Sequence, residues 1–154
     1  MNELTRRRLT QITFAIFFCG AGVQVSGAAE DGQQTARVAL HGYDPVAYFV
    51  DGQPVKGSAA FSFQFDDAVY HFASAEHQKM FAADPDRYAP RYSGYCAVAL
   101  SMGMKIEVDP HSWAISNGKL YVFASKKGSS IFAEDTAGVI ARADVNWAAE
   151  KAKH

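Results

Sequence analysis

"WAISNGKLYVFAS", residues 113–125, reads as two short strands joined by Asn117-Gly118. Asn-Gly between alternating apolar residues marks a two-residue type I′ turn, because both residues tolerate the positive φ that such a turn demands. A second hairpin lies upstream. "FSFQF" (61–65) puts Phe61, Phe63 and Phe65 on one face of a strand. "VYHFA" (69–73) puts Val69, His71 and Ala73 on one face and Tyr70 and Phe72 on the other. Ser74 is placed to cap a helix over "AEHQKMFAA" (75–83), with Glu76 in its first turn and Pro85 as its stop. "DPDRYAP" (84–90) reads as irregular.

Earlier still, "HGYDPVAYF" (41–49) predicts a turn feeding a short helix, with Asp44 as N-cap and Pro45 at the first helical position. Asp51-Gly52 is a hairpin-turn signal. Downstream, Cys96, Val98, Leu100, Met102, Met104, Ile106 and Val108 share one parity, which predicts a half-buried strand with its thiol and both thioethers on the core face. Such a strand would hold Cys96 and Met102 about 20 Å apart. Phe132, Val139, Ile140, Ala143 and Trp147 mark one stripe of a C-terminal helix over about residues 133–150. No internal repeat is evident. The expected class is α+β: a small antiparallel sheet with short helices and a C-terminal amphipathic helix packed on it.

The N-terminus has a separate logic. Arg6, Arg7 and Arg8 precede the apolar run Ile12–Cys19, and small residues follow to Ala29. This is the pattern of a secretory signal, cut after Ala28 or Ala29, by the general route or, given "TRRRLT", the twin-arginine route. The apolar run is shorter than the ~20 residues of a spanning helix, so no membrane span is expected after cleavage. The expected organisation is residues 1–29 as signal, 30–38 as a flexible lead-in and 39–150 as the domain. The expected location is the periplasm or outside the cell. Loss of Glu3 and the three arginines takes the basic count from 15 to 12 and the acidic count from 16 to 15. No basic stripe remains, which excludes nucleic acid as a natural partner.

"DPV" (44–46) and "YHFASAEHQKMFAADPDRY" (70–88) resemble the YHS-domain family, whose pattern runs D-P-V-C-G-M, then Y-Y-F-C-S-x-x-C, K-x-F and D-P-x-x-Y. The strings "GYDPVAYF", "YAPRYSGYCAVA", "DPHSWAISNGKLYV" and "ADVNW" are similar to stand-alone exported bacterial members. The resemblance implies a metal site built on cysteines. At those positions this chain has Ala47, Ala73 and His77.

Cys19 leaves with the signal, so Cys96 has no partner for an internal disulfide. It is open to three readings: a packed core residue, a ligand to copper, zinc or haem, or a reactive thiol. His77 is the companion ligand the resemblance offers, and His71 a further one, each also readable as a hydrogen-bonded structural histidine. Met102 and Met104 read as core. Tyr43, Asp44, Tyr92 and Tyr95 are candidates for a pocket that takes a non-metal ligand or partner. No C-x-x-C, G-x-S-x-G or H-E-x-x-H motif is present, so a thiol enzyme, with Cys96 paired to His77 or His71, is the least favoured of the three readings.

Overall fold

A computed structural model describes residues 36–153; the predicted signal and most of the lead-in lie outside that range. The elements are β1 (Arg37–Val38), α1 (Ala47–Val50), β2 (Ser58–Phe65), β3 (Ala68–Phe72), α2 (Ala75–Ala83), α3 (Pro85–Tyr88), α4 (Ala97–Ser101), β4 (Asp109–Ser116), β5 (Lys119–Phe123), α5 (Lys126–Glu134) and α6 (Thr136–Lys151). The class is α+β. The strands form two sheets rather than one: β1-β3-β2, with β1 parallel to β3, and the β4–β5 hairpin. The end of the lead-in is therefore structured, as β1. Among the described residues no helix is long and apolar enough to cross a membrane.

The halves of the domain follow one plan, a repeat that the sequence reading missed. β2 and β3 pair Ser58 with Phe72, break register, then pair Ser62 with His71. β4 and β5 pair Asp109 with Phe123, break register, then pair Trp113 with Val122. Every partner is the earlier one moved on by 51 residues (72 to 123, 71 to 122). Ahead of each hairpin the chain makes the same left-handed turn, through Leu40, His41 and Gly42 (φ 53°, 50°, 78°) and through Tyr92, Ser93 and Gly94 (φ 59°, 51°, 78°). Bulky residues rarely adopt this conformation. Burial of Leu40 and Tyr92 in the core holds it here.

The turn closes identically, with Tyr43 N–H on the Leu40 carbonyl and Tyr95 N–H on the Tyr92 carbonyl, both at 3.0 Å. After each hairpin comes a nine-residue helix behind a serine, α2 after Ser74 and α5 after Ser125. An aspartate then caps the next helix: Asp84 accepts from Arg87 N–H at 3.2 Å and Asp135 from Gly138 N–H at 3.0 Å. Tyr70/Tyr121, Phe72/Phe123, Ser74/Ser125, Phe81/Phe132 and Asp84/Asp135 are identical pairs in this register. "GYDPVAY" and "GYCAVAL" align on Gly42 and Gly94.

Three local expectations change. Pro85–Tyr88 is a helical turn rather than irregular chain, because Asp84 caps it and proline suits its first position. Asp135 divides the C-terminal helical stretch, so Phe132 belongs to α5 and α6 starts at Thr136. Asp51-Gly52 turns the chain at the end of α1 instead of linking two strands.

The larger change concerns Cys96–Val108, which is not a strand. Cys96 caps α4, whose Ala97, Val98, Ala99 and Leu100 are all buried. The apparent period of two came from counting alanines as the polar parity. Alanine buries as readily as valine, so a short helix enclosed on all sides mimics alternation. Asn146 of α6 caps the far end, its Nδ2 donating to the Leu100 carbonyl at 2.8 Å. Met102 and Met104 then lie 60% and 46% exposed, not in the core.

One aromatic core cluster runs through both halves. Three of its tyrosines are almost wholly buried: Tyr48, whose hydroxyl donates to the Pro110 carbonyl at 2.9 Å, Tyr70, and Tyr92, which donates to Asp144 at 3.0 Å. Burial pushes all three phenols well above their ordinary value near 10. Unfolded phenols release protons near pH 10, so the unfolded state gains on the folded one above that point. Stability is expected to be unaffected by these groups below about pH 10 and to fall steeply beyond it. Phenolate absorbance for these residues should appear together with loss of the circular dichroism signal. Ionisation of all tyrosines in a protein that keeps its native signal would refute this.

Candidate functional site

Asp44 has no exposed surface. One carboxylate oxygen accepts from the N–H groups of Val46 (2.8 Å) and Ala47 (3.4 Å) in the turn that enters α1. Val46, not Asp44, holds the N-cap position itself, so Asp44 supports the start of the helix from two residues before the cap. The other accepts from Ala73 N–H at 2.8 Å and lies 2.7 Å from His77 Nδ1. His77 N–H donates in turn to Ser74 Oγ at 3.1 Å. An ionised carboxylate only accepts, so the proton sits on Nδ1, and this bond fixes the imidazole ring. Asp44 thereby ties α1, the end of β3 and the start of α2 together. It is a buried structural carboxyl group and not the wall of a pocket.

Cys96 is the counterpart of Asp44 in the second half. The backbone places the two alike: Asp44 N–H donates to the Val55 carbonyl at 2.9 Å, and Cys96 N–H to the Ile106 carbonyl at 3.0 Å. The counterpart of His77 is Gly128. A thiol thus stands where the first half has a carboxylate, and a glycine where it has an imidazole; a Cβ at Gly128 would come within 3.0 Å of the Phe123 side chain, so α5 packs close on β5 there. Beside them lies a groove of about 190 Å³, bordered by Cys96, Met102, Met104 and Ile106 from one stretch and by Lys127 and Gly128 of α5. Cys96 is only 3% exposed, whereas the two methionines stand in solvent at the rim. The thiol sulfur accepts a long contact, 3.5 Å, from Ala99 N–H.

The strand that would have separated Cys96 from Met102 is replaced by a reversal. After α4 the chain turns at Gly103 (φ 79°), Met104 N–H bonds the Ala99 carbonyl at 3.0 Å, and Ile106 returns beside Cys96. Three sulfur side chains thus reach one groove. His77 and His71 are not among its lining residues. His71 lies half-buried on β3, paired with Ser62, its Nδ1 close against Gly42. Among the described residues no group of three or more His, Cys, Asp and Glu side chains is placed to hold a metal ion.

The tyrosines do not converge. Tyr43 meets His111 edge-on at 5.5 Å, with the Lys56 ammonium 4.7 Å from its ring. Tyr92 lines a cleft of about 190 Å³ beside Trp147 and Arg91, while Tyr95 packs on the same Trp147 at 6.3 Å. The ring faces there are taken by the chain's own cations. Arg37 and Lys105 stand 4.1 and 4.7 Å from the Tyr95 ring, and Lys105 and Lys151 5.9 and 5.8 Å from Trp147. Arg37 also hydrogen-bonds the Ser93 carbonyl, and Arg91 bonds Asp144 at 2.6 Å. This cleft stitches the two halves and α6 together. The signal that could have located the open groove was the paired strings "YHFAS" and "YVFAS", from which the counterparts of Asp44 and His77 follow. Compared with known protein families, with characterised proteins and with solved structures, the chain matches none.

Proposed function

We propose that the chain is an exported, YHS-like binding protein, periplasmic or secreted, that holds a transition metal, copper or zinc, in the Cys96 groove. The observation that carries this reading is the convergence of Cys96, Met102 and Met104 on one opening. Thiolate and thioether are soft donors suited to such ions. The YHS resemblance adds to it. The pattern's ligand positions fall at Ala47, Ala73 and His77, and their second-half counterparts, Ala99, Ala124 and Gly128, all border this groove. In this reading His77 is not a ligand: it is committed to Asp44. A bare ion fits better than haem, since a groove of about 190 Å³ is below the ~300 Å³ from which organic-ligand sites begin.

Protein purified without chelator or affinity tag should carry, or take up, about one equivalent of metal per chain by elemental analysis. Cys96→Ser should abolish it. Serine is a good N-cap, so α4 should survive that exchange and the loss would report on the ligand. Wild-type protein that stays empty after exposure to copper and to zinc would refute the function.

A further inference from the structure

We infer that the Cys96 groove is built for a soft monovalent ion, Cu(I) or Ag(I), bound by the Cys96 thiolate and the thioethers of Met102 and Met104, and that it excludes Zn(II). The inference rests on the metal-binding reading above and names the class of ion.

The comparison of halves is the first ground. In the first half the two facing positions carry a carboxylate and an imidazole, Asp44 and His77, which hydrogen-bond each other at 2.7 Å. In the second half both are gone, and the groove lining contains no histidine, aspartate or glutamate. Zinc is normally held by four ligands drawn from thiolate, imidazole and carboxylate. Only one such donor is present here. The other two candidates are thioethers, which bind Cu(I) and Ag(I) and serve zinc poorly.

Charge is the second ground. One thiolate cancels one positive charge, so a monovalent ion leaves the groove neutral. A divalent ion would leave a net positive charge among Val98, Ile106 and Ile131, with the Lys127 ammonium at the border. Uncompensated charge against apolar walls is costly, and a nearby cation raises the cost.

The third ground is the exposure of the methionines. A loop that presents Met102 and Met104 to water, 60% and 46% exposed, leaves much of both side chains unpacked. Gly103 sits between them in the left-handed conformation with open space around it, so the turn brings both side chains to the rim. Unbranched side chains with three rotatable bonds can close on an ion above Cys96 with little backbone movement. The ion would thus be capped from solvent by its own ligands.

The test uses the mature protein with Ag(I), with Zn(II), and with Cu(I) under anaerobic conditions against a chromogenic Cu(I) chelator. One equivalent of Ag(I) or Cu(I) should bind, and the ε-methyl NMR signals of Met102 and Met104 should shift while that of Met80, packed against the core, should not. The double variant Met102→Leu/Met104→Leu, which keeps the apolar surface and should stay folded, is expected to lose on the order of 100-fold in Ag(I) affinity, since losing a ligand outweighs losing its support. Zn(II) should not be retained. Zn(II) bound as tightly as Ag(I), or Ag(I) affinity unchanged in the double variant, would overturn this inference and leave the metal-binding function standing. Failure of all three ions to bind the wild type would overturn both.

Discussion

Asp44→Ala is expected to destabilise the domain by about 3–5 kcal/mol. Loss of a helix cap alone would cost about 1 kcal/mol. The structure adds two obligations that a cap reading misses. Ala73 N–H and His77 Nδ1 both donate to the second oxygen, and truncation leaves them without an acceptor where little water can enter. Such orphaned donors carry a desolvation penalty of about 1–3 kcal/mol each. Urea denaturation should show the midpoint lowered with an unchanged slope. A cost near 1 kcal/mol would mean that only the cap counts. Asp44→Asn should fall between, because its carbonyl oxygen can still accept at the start of α1 while its amide meets the Ala73 and His77 donors with donors of its own.

Phe81→Ala is expected to cost about 3–5 kcal/mol, the range for emptying a buried aromatic site. Phe81 has no exposed surface, and its ring meets those of Tyr70, Phe72, Phe63 and Phe65 at centroid distances of 5.0 to 6.0 Å. Among the described residues, the rings that meet its counterpart Phe132 are those of Tyr121 and Phe123, both at 5.0 Å. Ring pairs contribute roughly 0.5–1.5 kcal/mol beyond burial, so Phe81→Ala should be the costlier of the two. Measured side by side by thermal unfolding, equal losses would show that the additional rings around Phe81 contribute burial only.

The two halves also show where a single sequence can be read and where it cannot. Asn117 and Gly118 adopt the positive φ that their turn predicts, 49° and 70°. Ser74 caps α2 over the predicted residues, and Phe61, Phe63 and Phe65 lie on a strand as their alternation requires. These readings held because each depends on sterics within a few residues. The segment after Cys96 failed for the same reason turned round. Its alanines carry no periodic information, and whether it extends or coils was decided by α5, α6 and β5 packed around it. Asp44 was legible as a support for the start of α1 and illegible as the partner of a histidine 33 residues away.

The sequence by itself determined the turns that join β2 to β3 and β4 to β5, the capped start of α2, the apolar stripe of the last helix and hence the α+β class. Those signals are local, set by allowed backbone angles, caps and the alternation of apolar side chains. The tertiary structure alone decided the sealing of Asp44 against His77, the splitting of the strands into two sheets and the gathering of Cys96, Met102 and Met104 around one groove. Each of these requires chain reversals whose direction follows from what the rest of the domain buries. The packing free energy that selects them is summed over residues far apart in the chain.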